Sequence, residues 1–278
     1  MATATRETTA TAAGRAVPND LLTIGAIALL VGLIGTIAHE ALGHGLAVIV
    51  VGGELTRVTS VDAEFPDAGI GEWARRFIAA AGVIANLIVG LPAFGGLRAA
   101  RGATWRYFFW LLGFSNILVG GGYLLALSFA GFGDVDVFVQ GLPHRTLWQL
   151  GSTVIGVLLS FAGLFAGLRL LDPFLGWERA ARRRRALGLA LVPYFVIGLA
   201  SIASGALNPT DPLLILISAG ASSFGGNAFM AWLPLWVRPE RPTTPREPLT
   251  IVRSWPWIMA GIVALAIRLI VLGPGVPR

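Results

Sequence analysis

The feature that most limits how this chain can fold is a series of apolar runs, each about as long as a lipid bilayer is thick. A helix that crosses the hydrocarbon layer of about 30 Å needs about 20 apolar residues. The runs that approach or exceed this length lie at residues 21–51, 77–97, 107–132, 146–168, 186–207, 212–237 and 255–272. Inside lipid every backbone N–H and C=O needs a partner within its own segment, so these runs must be helical. The sequence therefore predicts an all-α, polytopic transmembrane helix bundle of about seven spans, surrounded by a lipid bilayer.

Composition supports this prediction and limits the possible partners. Only 13% of the residues are charged, whereas soluble domains carry about 25%. No stretch is polar enough to form a separate soluble domain, so there is no soluble basic face for nucleic acid, and we predict no nucleic-acid partner. The chain has no cysteine, which excludes thiolate metal ligands and a cysteine nucleophile. We divide it into a disordered tail (1–17), a transmembrane core (18–140) and further helices of the same membrane domain (141–278).

The distribution of arginine predicts the orientation. All 21 basic residues are arginine, which is typical of a GC-rich genome, and we expect a prokaryotic plasma membrane. With seven spans, 15 arginines fall on the side of the N-terminus and 5 on the other. Because cytoplasmic loops are rich in arginine, the N-terminus is predicted to be cytoplasmic and the C-terminus outside. Arg268 lies inside the last apolar run, and we expect its side chain to reach the membrane interface.

The first apolar run contains three ionisable residues within six positions: His39, Glu40 and His44. Such residues at membrane depth are costly and usually functional. In zinc-binding helices two histidines lie four residues apart, and the glutamate after the first acts as general base. Here the spacing is five, which separates the imidazoles by about 140° on a regular helix. A π-bulge or a break at Gly43 would bring them together; alternatively, Glu40 and His44, which are four apart, could hold the metal.

The surrounding sequence resembles the site-2 protease family of intramembrane zinc metalloproteases over roughly residues 30–140. The His-Glu motif ends in Gly-His and is followed by an apolar tail and Gly52-Gly53. The next run reads Ala81-Gly82-Val83 with Asn86 three residues later. This is similar to the family's Ala-Gly-Pro-x-x-Asn helix, with valine in place of proline.

The resemblance implies a set of site residues. Zinc would be held by His39, His44 and an aspartate on a later helix, for which Asp134 is the first choice and Asp136 the second. Glu40 would be the general base, and Asn86 would hydrogen-bond the substrate backbone. A peptide or membrane protein would be the substrate, hydrolysed by zinc-activated water.

The sequence leaves some alternatives open. The extra residue between the histidines also fits a non-catalytic scaffold, a pseudoprotease, and the polar cluster could serve a small transporter. Residues 54–76 form either a small hairpin over the site or a plain solvated loop. His144, which follows Pro143, is expected to be a surface-loop residue.

Overall fold

The computed structural model describes residues 18–209, 212–238 and 247–277. The predicted disordered tail at 1–17 lies outside the described residues. Nearly all regular structure in the described part is helical, which confirms the all-α prediction. The helices are α1 (Leu21–Thr36), α2 (Leu46–Val50), α3 (Glu72–Ala99), α4 (Ala103–Leu127), α5 (Asp134–Val139), α6 (Arg145–Leu175), α7 (Arg179–Gly205), α8 (Pro212–Gly220), α9 (Ala228–Trp236) and α10 (Trp255–Ala266). Three π-helical segments accompany them, at Ile37–Gly45, Ala221–Gly225 and Ile267–Leu272.

The first span is long and continuous. The Asp20 side chain caps its N-terminus by accepting a hydrogen bond of 2.8 Å from the backbone N–H of Thr23, which satisfies one of the amides that a helix start leaves free. The helix then passes through the first π-helical segment without a break, so the span covers Leu21–Val50. The run at 21–51 exceeds the length that a bilayer requires, so the sequence predicts a first span that is either long or broken around the metal motif. The structure has the long form.

The predicted polytopic bundle is confirmed in its main features. Six helices of the described part are long and apolar enough to cross a membrane. The remaining predicted span, 212–237, forms α8, a π-helical segment and α9, with a turn at Gly226 and Asn227 between the last two. The Asn227 side chain donates to the carbonyl of Ser223 and accepts from the Ser115 hydroxyl, so its polar groups are satisfied inside the bundle.

Helix α4 lies at the centre of the bundle. Of its most apolar 18-residue window, 78% is buried, against 44% or less for the other spans. Glycines allow its close packing: an added Cβ at Gly121 would lie 2.9 Å from the backbone N of Ser160 in α6. The core cluster around α4 draws side chains from both the predicted core, 18–140, and the later helices, so the two stretches pack as one bundle.

The outside of the bundle is apolar. Large side chains such as Ile88, Leu158, Leu199 and Ile262 are more than half exposed along the spans. Soluble monomers rarely expose contiguous apolar surface of this extent. The protein is therefore an integral membrane protein.

A small antiparallel sheet covers one end of the bundle. Strands β1 (Arg57–Val58) and β2 (Ala63–Glu64) form a hairpin, so residues 54–76 are not a plain loop. A third strand, β3 (Val276–Pro277), pairs with the other edge of β1. Nothing in the sequence predicted this third strand, because two residues carry no periodicity. Its pairing places the end of the described chain on the same side of the bundle as the hairpin, as the predicted span order requires.

The expectation that Arg268 reaches the interface is wrong. Its side chain is only 4% exposed. The guanidinium donates to the hydroxyls of Ser204 and Ser201 on α7, over 3.2 and 2.8 Å. These hydroxyls give the charged group polar partners within the bundle, so it has no need to reach the membrane surface.

Candidate metal centre

The first π-helical segment places His39 and His44 on one side of the first span. In a π-helix each N–H bonds to the carbonyl five residues earlier. Residues five apart therefore take the relative positions that residues four apart hold in an α-helix. The two ring centroids lie 4.8 Å apart. The predicted π distortion is thus present, and it brings both imidazoles together.

Asp134 approaches the histidines from the start of α5. The preceding Gly133 has φ 79°, a conformation that glycine adopts without the strain a side chain would cause. The backbone N–H of Asp134 donates to the Tyr123 hydroxyl over 3.0 Å. Its Oδ2 then lies 3.4 Å from Nε2 of His39 and 3.3 Å from Nε2 of His44. These three atoms all lie within 4.8 Å of one another and could hold a metal ion.

The other nitrogen of each imidazole is held by a hydrogen-bond acceptor. Nδ1 of His44 lies 2.7 Å from the backbone carbonyl of Ile78, and Nδ1 of His39 lies 2.5 Å from Oδ1 of Asn86. Because a carbonyl oxygen can only accept, both Nδ1 atoms donate. Each Nε2 is then left with a lone pair that points into the site, which is the arrangement of metal-binding histidines.

The three ligand atoms carry lone pairs that face one another. Oδ2 of Asp134 is buried and has no hydrogen-bond donor among the described residues. A cation between the three atoms would remove the repulsion among their lone pairs.

Asn86 connects His39 to the central helix. Its Nδ2 donates to Oδ1 of Asn116 over 2.7 Å, and Nδ2 of Asn116 donates to the carbonyl of Leu112 over 2.8 Å. Asn86 is 1% exposed, and these bonds fix its amide orientation. The structure thus gives Asn86 an orienting contact with His39; the predicted contact with substrate backbone stays a prediction.

Gly82 forms the floor of the site. A Cβ there would overlap Nε2 of His44 and would lie 2.6 Å from Nε2 of His39. On the facing helix, a Cβ at Gly43 would lie 2.7 Å from the Cα of Gly82. The two glycines therefore let α3 and the first span approach closely enough for the imidazoles to lie over the α3 backbone.

Glu40 is not part of the metal cluster. The side chains that meet Asp134 are His39 and His44, and not the alternative pair of Glu40 and His44. Its side chain is 9% exposed. It lines a cavity of about 290 Å³ together with the two histidines and Asp134. The hairpin turn at 60–63 lines the same cavity, as expected for a hairpin over the site.

Asp136, the second choice of ligand, and His144 both lie outside the cluster. Asp136 points away from the cluster and pairs with Arg145, so the first choice, Asp134, is the aspartate that meets the histidines. His144 precedes α6, is exposed and has φ 55°. It is a surface residue, as expected.

Sequence reasoning missed Tyr123, which lines the cavity and positions Asp134. A single tyrosine in the middle of an apolar run is usually packing, so nothing in the sequence distinguished it. Arg268 was noticed as an interruption, but its place in the same cavity was not predicted.

Comparison of the chain with protein-family models, with curated proteins and with solved structures gave no match. The functional assignment therefore depends on the geometry of the residues.

Proposed function

We propose that this protein is an intramembrane zinc metalloprotease that hydrolyses peptide bonds of membrane-embedded substrates, as its resemblance to the site-2 protease family implies. The observation that carries the proposal is the convergence of Nε2 of His39, Nε2 of His44 and Oδ2 of Asp134 in a buried cavity that Glu40 also lines.

The ligand atoms suit zinc. Two imidazoles and one carboxylate, with a fourth position left for water or substrate, is a common set of catalytic zinc ligands. Tetrahedral zinc with bonds of about 2.0–2.1 Å sets neighbouring ligand atoms about 3.3–3.4 Å apart. The distances from Oδ2 of Asp134 to the two Nε2 atoms, 3.4 and 3.3 Å, match this value, and all three atoms lie within 4.8 Å of one another.

Each residue then has a chemical task. Bound zinc would supply a Lewis acid that lowers the pKa of water toward about 7. The Glu40 carboxylate would accept the proton of the attacking water and pass it to the leaving amine. Asn86 and the carbonyl of Ile78 orient the imidazoles, and Tyr123 positions the Asp134 backbone.

Zinc content tests the site itself. Detergent-purified protein should contain about one zinc per chain, and His44→Ala or Asp134→Ala should lose it. Asp136→Ala and His144→Ala are matched controls, because both residues lie near the site in sequence and outside it in space. A wild type without zinc, purified without chelators, would end the proposal.

Hydrolysis tests whether the site is catalytic. Glu40→Gln should keep zinc and lower the cleavage rate of an apolar transmembrane peptide in micelles by about 10²–10⁴-fold. Glu54→Gln, at an exposed glutamate, should change neither. Zinc binding without cleavage of any membrane peptide would favour the non-catalytic scaffold instead.

We place the protein in a prokaryotic plasma membrane, with the N-terminus in the cytoplasm and the C-terminus outside, from the arginine distribution. The absence of cysteine allows a direct test by labelling single-cysteine variants. Ala68→Cys should react with an impermeant maleimide in intact cells, whereas Arg184→Cys should react only after permeabilisation. The reverse pattern would invert the topology.

A further inference from the structure

The cavity that contains the metal ligands is also lined by a buried arginine of the last span. Arg268 lines this cavity and is 4% exposed. Among the residues that the structure describes, no carboxylate lies within 4.0 Å of its guanidinium. Glu40 lines the same cavity and forms no ion pair with Arg268. A buried arginine without an anion is costly, and within a membrane it usually marks a functional site.

The hydrogen bonds around Arg268 hold its guanidinium in one position. The Ser201 hydroxyl donates to the carbonyl of Ile197 over 2.9 Å, and the Ser204 hydroxyl donates to the carbonyl of Ser201 over 3.0 Å. Both hydroxyls therefore use their hydrogens elsewhere and accept from the guanidinium, at Nη2 and Nε respectively. Nη1 and the second hydrogen of Nη2 remain for a ligand. Two parallel N–H donors of this kind match a carboxylate.

The first span leaves room for the guanidinium at Gly32. A Cβ at this position would lie 3.3 Å from Nη1 of Arg268. Gly32 precedes His39 by seven residues, which corresponds to about 10 Å along a helix. An extended peptide covers about 3.3–3.6 Å per residue. A peptide bond at the metal cluster would thus lie about three residues from a group held by Arg268.

We propose that Arg268 binds the terminal carboxylate of a peptide whose scissile bond lies at the metal cluster. The substrate class would be apolar peptides, or membrane-protein ends, with a free carboxylate about three residues beyond the cleaved bond. The volume of about 290 Å³ is at the small end of ligand cavities, about 300–1,000 Å³, which suits a short chain end better than a whole helix. This inference rests on the proposed function, since it assigns the substrate of the same cavity.

Binding can be measured without turnover in the Glu40→Gln protein. The probe is an apolar hexapeptide with an N-terminal fluorophore, prepared with a free C-terminal carboxylate or as the C-terminal amide, and read by anisotropy in detergent. We expect the acid to bind about 10–100-fold more tightly than the amide, as for a charge-assisted pair. Equal binding of the two peptides would overturn the inference, and this comparison needs no change at Arg268.

The arginine variants then locate the effect. The preference for the acid should disappear in Glu40→Gln/Arg268→Gln and persist in Glu40→Gln/Arg184→Gln, whose altered arginine is exposed on α7. Arg268→Lys should keep part of the preference, because lysine retains the charge without the paired donors. A preference that survives Arg268→Gln would mean that the carboxylate binds elsewhere.

A lipid phosphate offers similar anionic chemistry and is the main competitor. If dihexanoyl phosphatidic acid displaces the acid peptide more effectively than an N-acetylated apolar dipeptide acid does, the site belongs to a lipid headgroup and the peptide assignment is wrong. Zinc content, measured on the same samples, separates the two proposals. Zinc and cleavage without a preference for the acid would end only this inference. A preference for the acid without zinc would end the protease assignment and the scissile bond with it, and would leave Arg268 as a carboxylate site.

Discussion

Gly82 lies directly beneath the two imidazoles and brings the α3 backbone against the first span. Its missing side chain leaves the space that Nε2 of His39 and of His44 occupy. The role of this residue in the site is therefore steric, and it can be tested by adding a single methyl group.

Gly82→Ala should abolish most zinc binding, because the new Cβ would overlap the ligand nitrogens and the buried helix contact leaves them little room to move. Zinc per chain and the elution volume on size exclusion would be measured together. Gly95→Ala is the matched control: Gly95 lies on the same helix, and an added Cβ there meets nothing within 4 Å. Full zinc content in Gly82→Ala would show that the histidines bind metal from other positions.

Asn86→Ala separates an orienting role from a substrate contact. Loss of the partner of His39 Nδ1 should weaken zinc affinity by about 10–100-fold, as for other residues that orient metal ligands. Competition with a fluorescent chelator measures this directly. If zinc affinity is unchanged and only the KM for a peptide rises, Asn86 serves the substrate, as the family resemblance implies.

At the scale of single residues, the sequence predicted those members of the site whose side chains are recognisable metal ligands. His39 and His44 were identified because ionisable residues are rare within the apolar runs, and Asp134 was chosen from the family resemblance; the three converge in the structure. The contributions of Gly82 and Tyr123 depend on how α3, α4 and α5 approach one another. The sequence singled out Gly82 only as part of the Ala-Gly-Val motif, because glycine is a common packing residue in membrane helices, and it did not distinguish Tyr123 at all.

The first π-helical segment is the element that decides whether the histidines can act together. It has nine residues, Ile37–Gly45, and it accommodates one more residue between the histidines than the familiar zinc motif has. Leu42 lies within this interval, and its side chain is 59% exposed. The extra residue thus lies on the outer side of the span.

Deletion of Leu42 should leave zinc content close to that of the wild type. It restores the spacing of four, at which a regular α-helix brings both histidines to one face. Insertion of alanine after Leu42 should instead abolish zinc binding, since each added residue turns the helix by about 100°. Zinc loss in the deletion, with normal elution on size exclusion, would mean that the π-helical hydrogen bonds themselves are required.

The sequence predicted a span well where the length of its apolar run alone defines the helix. It predicted a span less well where tertiary packing determines whether the helix is continuous. Apolar runs located the spans because a bilayer imposes a minimum length. The run at 212–237 contains Gly225-Gly226-Asn227, and the structure interrupts it there. The interruption depends on the contact of Asn227 with Ser115 in α4, and a partner 112 residues away cannot be inferred from a local pattern.

At the scale of the whole molecule, segments far apart in sequence meet at one end of the bundle. The hairpin β1–β2 covers the cavity, β3 extends the sheet from the far end of the chain, and α5 brings Asp134. Arg76 in α3 ties α5 in place by donating to the carbonyl of Gln140 over 2.9 Å. Segments from the first span, from α5 and from residues 276–277 thus meet around one end of the bundle.

A disulfide can test the placement of β3. Val58 and Val276 are direct partners, and opposite residues in an antiparallel pair have Cα atoms about 4.5–5.5 Å apart, within disulfide range. The Val58→Cys/Val276→Cys protein should form the bond on mild oxidation, seen as linked fragments after proteolysis. Val58→Cys/Pro277→Cys is the control, because adjacent strand residues point to opposite faces. Equal crosslinking of both pairs would argue against this register.

The π-helical segment also has a consequence for how metal sites of this kind are found. Two metal-binding side chains share one face of a helix when they are four residues apart in an α-helix or five apart in a π-helix. A sequence search that requires a spacing of four therefore passes over any chain with a π-helix between the two ligands. Metal-dependent hydrolase sites in membrane proteins would be found more completely by a search that accepts both spacings.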